Sequence, residues 1–185
     1  MSSQPNGIVW LPKKATPTVN TTSECISIKV AEWPKTIRKH TALSICAQDD
    51  VEAAKWYRLA AEQGNAYAQQ NLAFFYHSGK GVTRDYAEAA RLYRLAAEQG
   101  LVNSQYNTAI NYLNGHGVTE DHAEAARWFR LAAEQGDLDS QYLLAEMYED
   151  GDGVTQDLDE AAKWYRLAAE QGDTDAKAAL ERLGR

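Results

Sequence analysis

The string Leu-Ala-Ala-Glu-Gln-Gly occurs four times in this chain, ending at Gly64, Gly100, Gly136 and Gly172, always 36 residues apart. A fixed period of that length is the signature of a solenoid, in which one unit cannot bury its apolar face alone and must stack on its neighbours. The architecture expected is therefore all-α: a row of antiparallel helix hairpins with a 36-residue period. The functional question becomes what lies along the row, rather than where a single active site sits.

Each copy carries its own start and stop signals. Asp85 followed by Glu88 is a D-x-x-E capping box, which satisfies orphan backbone donors at a helix start, and Asp49/Glu52, Asp121/Glu124 and Asp157/Glu160 repeat it. The helix then runs through Ala-Ala, an aromatic pair (Leu92-Tyr93 in the copy from Asp85) and Leu-Ala-Ala to a glycine suited to the left-handed terminating position. Arg58/Glu62, Arg94/Glu98, Arg130/Glu134 and Arg166/Glu170 are spaced as surface pairs worth about 0.2–0.5 kcal/mol each. A second, shorter helix is expected at about 66–77, 102–113, 138–149 and 174–183. Between the helices lie Gly79-Lys-Gly-Val82, Gly115-His-Gly-Val118 and Gly151-Asp-Gly-Val154, read as turns whose glycines reach positive φ.

Composition divides the chain near residue 49. All four prolines and both cysteines (Cys25, Cys46) precede it, and residues 1–48 carry a balance of +4 against −7 for the whole chain, which leaves −11 for residues 49–185. An acidic body argues against nucleic acid as a partner, since that binding needs clustered cations. No apolar run approaches the roughly 20 residues that span a bilayer, and Ile8 to Leu11 is too short for a signal-peptide core. A cytoplasmic protein with no membrane partner is expected on that basis. The domains expected are a non-repeat segment 1–48, a half repeat 49–64, full repeats 65–100, 101–136 and 137–172, and a capping helix 173–185. For residues 1–48 two readings stay open: a packed cap using Trp10 and Trp33, or a disordered arm whose cations could fold back on the acidic repeats.

These residues resemble Sel1-like repeats, a subfamily of the tetratricopeptide-type solenoids. The pieces that match are Gly-x-Gly-Val in the loop, Ala-Ala-x-x-Tyr-Arg in the long helix and Ala-Ala-Glu-Gln-Gly at its end. The resemblance implies a right-handed superhelix used as a scaffold or adaptor for protein partners. Two departures stand out: alanine at 73, 109 and 145, where the family often has glycine, and Thr108 in place of the Leu72 and Leu144 of its sister units. A cysteine-rich secreted subset of the family places disulfides inside each repeat. Residues 49–185 contain no cysteine, so a secreted, penicillin-binding reading is not carried over.

Comparing the copies with one another separates scaffold from surface. Positions equivalent to 68, 69, 73 and 76 stay similar, as a repeated interface requires. A stripe at i, i+3, i+7 and i+10 on the same helices varies. It reads Tyr67, Gln70, Phe74, His77, then Asn103, Tyr106, Ile110, Leu113, then Asp139, Tyr142, Glu146, Glu149. By the resemblance this face lines the concave groove, running from aromatic to acidic. Such a groove suits a monomeric protein that binds a peptide or protein segment with apolar anchors and a basic end. The alternative is a dedicated inhibitor or immunity protein that covers a folded toxin or enzyme.

Catalytic chemistry is not expected. His116 and His122 flank a loop-to-helix boundary without a third ligand, so no metal site is assigned. Asp150 to Asp157 resembles a calcium loop, but Thr155 stands where its glycine is required. No nucleophile–base arrangement, paired acid and base, or phosphate loop can be defended, and no cofactor is implied.

Overall fold

In a computed structural model, residues 50–185 are described, and these form eight α-helices in chain order: α1 Asp50–Glu62, α2 Ala66–Ser78, α3 Tyr86–Glu98, α4 Val102–Asn114, α5 His122–Glu134, α6 Leu138–Asp150, α7 Leu158–Glu170 and α8 Thr174–Leu183. Asp49, both cysteines, Trp10, Trp33 and the cap-or-arm question lie outside the described residues. Helices adjacent in sequence are the ones that pack together, so the described chain is an α-solenoid of antiparallel hairpins. The alanine-rich helices are α1, α3, α5 and α7. The intervening helices α2, α4 and α6 prove to be as long as these, 13 residues each.

The repeated Gln-Gly makes the tight turn inside each hairpin. Gly64, Gly100, Gly136 and Gly172 adopt φ of +83°, +88°, +86° and +100°. The next residue's N–H then reaches back to the carbonyl of Ala60, Ala96, Ala132 or Ala168, the six-to-one bond of a Schellman stop. That same residue begins the next helix: the side chains of Asn65, Asp137 and Asp173 accept from the N–H groups of Ala68, Ser140 and Ala176, while Leu101 makes no side-chain cap. One residue thus closes one helix and opens another.

At the other end of each hairpin, half of the expected capping box forms. Asp85, Asp121 and Asp157 accept from the N–H of Glu88, Glu124 and Glu160. The aspartates' own N–H groups, which the glutamates were expected to satisfy, donate instead to the carbonyls of Tyr76, Tyr112 and Tyr148. The glutamates are released to ion-pair one turn on, as Glu88–Arg91, Glu124–Arg127 and Glu160–Lys163. Of the four i, i+4 pairs expected, Arg94–Glu98 forms, at 3.8 Å. Arg58 and Arg130 donate to the hydroxyls of Tyr76 and Tyr148.

The core is built from alanine around an aromatic in each alanine-rich helix, with Trp128 and Trp164 buried beside it in α5 and α7. Ala89, Ala90, Ala96 and Ala97 are buried around Tyr93, and the equivalent alanines surround Tyr57, Phe129 and Tyr165. Alanine keeps helix propensity high and lets neighbouring helices approach closely.

The two glycines of each loop do different work. Gly79, Gly115 and Gly151 are left-handed caps of the intervening helices. Gly81, Gly117 and Gly153 pack their Cα on the first carbonyl of the preceding alanine-rich helix, where a Cβ would collide with the backbone of Asp50, Tyr86 or His122. Around Gly100, by contrast, a Cβ would meet nothing within 4 Å. Gly100→Ala should therefore cost only the left-handed strain, about 1–2 kcal/mol. Gly117→Ala should cost about 2–5 kcal/mol, because the backbone clash adds to the strain. Urea denaturation of the two variants checks the difference; equal losses would contradict the close-approach role of Gly117.

Candidate partner surface on the intervening helices

Of the twelve stripe residues, ten are half-buried. Ile110 and Gln70 belong to the interior, at 3% and 9% exposure. Gln70 accepts a hydrogen bond from the buried Ser104 hydroxyl of α4, so it holds neighbouring units together. Ile110 joins the core cluster around Phe129. The small residues Ala68, Ser104 and Ser140 of the same helices are fully buried.

Tyr67 and Asn103 line one open cleft of about 680 Å³, with Gly64 to Ala66 and Gln99 to Val102. The middle of the stripe is aromatic. Tyr106 meets Phe129 edge-on at 5.9 Å and Tyr142 meets Tyr165 edge-on at 5.6 Å, so each of these stripe tyrosines rests on the buried aromatic of the next helix. Burial, with Asp139 and Asp137 nearby, pushes the Tyr106 hydroxyl up to about 12. Burial and then Glu146 raise Tyr142 to about 12 as well. Both remain neutral hydrogen-bonding groups across the physiological range.

The acidic end is less uniform than its sequence. Glu149 is largely covered: it accepts from both guanidinium nitrogens of Arg182 in α8, at 2.5 and 2.9 Å, and from the Tyr165 hydroxyl at 2.9 Å. It fastens the terminal helix to the repeat body. The Glu146 carboxyl is held above its ordinary range, chiefly by burial and then by Asp150 and Glu149, against the hydrogen bond of Tyr142.

The histidines divide between two arrangements. His116 stacks on Tyr86 at 5.5 Å and stands 6.5 Å from His77, which itself meets Tyr86 edge-on. Burial lowers the His77 pKa, with His116 and Arg84 adding to the effect. His122 does not join them; it bonds Asp152 of the following loop and Glu120 beside it. Asp152, read from sequence as part of a calcium-like loop, is thus a histidine partner. Among the described residues no group of three or more His, Cys, Asp or Glu is placed to hold a metal ion.

The second full unit departs from its sisters in its core. The Thr108 hydroxyl and the Asn111 side-chain amide are buried without a hydrogen-bond partner in the protein, beside a small cavity of about 180 Å³. The sister units have Leu72 and Leu144, and Phe75 and Met147, at these positions. The Thr108 substitution was legible as a packing departure; Asn111 was not singled out.

The Sel1 repeat profile matches residues 44–65, 66–101, 102–137 and 138–173. The chain belongs to the Sel1 repeat family. Repeats of this family generally mediate protein–protein interactions. No curated protein matches the chain significantly. Among solved structures, a protective antigen of uropathogenic Escherichia coli with an SLR fold is 38% identical, with a TM-score of 0.74 over 80% of this chain and 32% of its own. A Sel1 repeat protein from Oxalobacter formigenes is 36% identical, with a TM-score of 0.67 over 75% of this chain and 58% of its own. The chain therefore spans about a third of the first and just over half of the second. Helicobacter pylori cysteine rich protein B shares the fold at 22% identity, with a TM-score of 0.56 over 72% of this chain and 97% of its own. No helix among the described residues is long and apolar enough to cross a membrane.

The His122–Asp152 contact makes a signed prediction for this Sel1 repeat protein. The hydrogen bond that His122 Nδ1 donates to the Asp152 carboxylate raises the His122 pKa, with Glu120 assisting and partial desolvation opposing. The folded state thus prefers the imidazolium. Its contribution is complete below the ordinary histidine value of about 6.5 and is lost as pH rises through the raised one. His122→Gln should flatten the fall in Tm above pH 6.5 that the wild type shows. A fall of identical slope in the variant would remove His122 as its source.

Proposed function

We propose that this Sel1 repeat protein is a non-catalytic interaction scaffold that binds a peptide segment of a partner along the intervening helices α2, α4 and α6. The supporting observation is the contrast between constant and variable positions on those helices. Ala68, Ser104 and Ser140 are fully buried at the unit interfaces, whereas the exposed part of the stripe changes chemistry from unit to unit. Tyr67, Phe74, Tyr106 and Tyr142 pack one side against the core and, being only half-buried, leave part of each ring open. Those rings offer apolar anchor sites, and Asp139 and Glu146 offer a basic side chain its complement.

Gln70, Ile110 and Glu149 are committed to packing, so recognition falls to the remaining nine residues of the stripe. The open cleft shared by Tyr67 and Asn103 receives the apolar anchor. A displayed library of linear peptides, panned on the full chain, should yield binders rich in aromatic and basic residues. Truncating anchor residues at such surfaces commonly costs about 2 kcal/mol or more, so Tyr67→Ala with Asn103→Ala should weaken them at least tenfold. Leu167→Ala, on the exposed face of α7, should leave them unchanged. Failure to enrich any linear peptide, or undiminished binding by the double variant, would overturn the reading.

A further inference from the structure

Superposing the units by their 36-residue period places Leu92 where α1, α5 and α7 carry Trp56, Trp128 and Trp164. In α5 and α7 the indole is held the same way. Trp128 Nε1 donates to Glu124 Oε1 at 2.9 Å, and Trp164 Nε1 donates to Glu160 Oε1 at 3.0 Å. A cation covers each ring face: Arg127 at 5.7 Å from the centroid of Trp128, Lys163 at 5.2 Å from that of Trp164. Both indoles are almost completely buried.

In α3 the holder is kept and the indole is missing. Glu88 and Arg91 stand at the positions of Glu124 and Arg127, but leucine is shorter than tryptophan and has no N–H to donate. These same residues line a cavity of about 360 Å³ between α1 and α3. Leu95 supplies apolar wall above the almost completely buried Leu72 and Leu92, Glu88 and Glu62 supply carboxylates, and Arg58 and Arg91 supply cations at the rim. Gln69 and Leu72 lie about 100° and 200° around α2 from Gln70, so the cavity opens away from the peptide stripe.

From this we infer a second recognition site: the cavity between α1 and α3 receives an indole ring, presented as a tryptophan side chain by a partner protein. The ring would take the place that Trp128 and Trp164 occupy in their own units, with its N–H on Glu88 and its face toward Arg91. The existing ion pair of Arg91 with Glu88, at 2.7 and 2.8 Å, does not stand in the way. In α5, Glu124 accepts from Arg127 and from the indole through the same oxygen. The acceptor also sets the selectivity. A phenylalanine ring would fill the space without donating to Glu88.

The probe is N-acetyl-L-tryptophanamide, titrated into the full chain and followed by amide chemical shifts. Saturable shifts centred on Leu72, Glu88, Leu92 and Leu95 are expected. The indole-N-methyl derivative and N-acetyl-L-phenylalaninamide should bind at least tenfold more weakly, because neither can donate to Glu88. Leu92→Trp should fill the cavity and abolish the shifts. Glu88→Ala provides a second variant that keeps the backbone N–H capped by Asp85, and it should reduce the tryptophan probe to the affinity of its N-methyl derivative. No saturable shift at these residues, equal affinity for the N-methyl probe, or full binding by a folded Leu92→Trp protein would each overturn the inference. None of these outcomes depends on whether a peptide binds along the stripe.

Discussion

One buried glutamine per unit ties the solenoid together. Gln69, Gln105 and Gln141 each donate to a carbonyl in the last turn of the preceding alanine-rich helix, at Ala61, Ala97 and Ala133. Each also accepts from the glutamine that ends the following one, Gln99, Gln135 or Gln171, at 2.7 to 2.8 Å. A single side chain therefore spans three consecutive helices. Its amide is satisfied only when all three stand in register, and a buried amide left unsatisfied costs about 1–3 kcal/mol. The repeated Glu-Gln-Gly follows from this: the glutamine feeds the relay and the glycine turns the chain. Because the relay recurs at every unit boundary, the units share stability with their neighbours instead of holding it singly.

With register fixed this way, recognition can be built from what the interfaces leave over. The buried tyrosines and phenylalanine of the alanine-rich helices form a row of platforms, and the stripe tyrosines Tyr106 and Tyr142 lean on two of them. Their hydroxyls stay neutral. Glu149 shows the opposite economy, since an acid that looks available in sequence is consumed in anchoring α8 through Arg182. The acidic end is thereby narrowed to Asp139 and Glu146.

Much of this was legible because the chain compares itself with itself four times over. Aspartate caps, glycine stops, helix positions and the interface role of position 69 all follow from what stays the same at 36-residue spacing. What escaped was long-range and side-chain-specific. The arginines were expected to pair locally with Glu62 and Glu134, yet Arg58 and Arg130 found tyrosine hydroxyls on the adjoining helix. The capping glutamates lost their expected partner because a tyrosine carbonyl of the preceding helix reached the aspartate N–H first. Gln70 and Ile110 share the stripe's period with exposed residues, and helical spacing alone cannot tell which edge of a stripe a close neighbour covers. Leu92, where the sister helices carry tryptophan, was not singled out, and the cavity beside it required the positions of three helices.

The glutamine relay is best tested by native-state hydrogen exchange on Gln105→Ala. Its loss should lower protection in α3, α4 and α5 together, since Gln105 bonds Ala97 at the end of α3 and Gln135 at the end of α5. The last turn of α3 should open most, and α7 and α8 should change least. A loss of protection confined to α4, with the turns at Gly100 and Gly136 as protected as before, would contradict the relay as the element that couples the units.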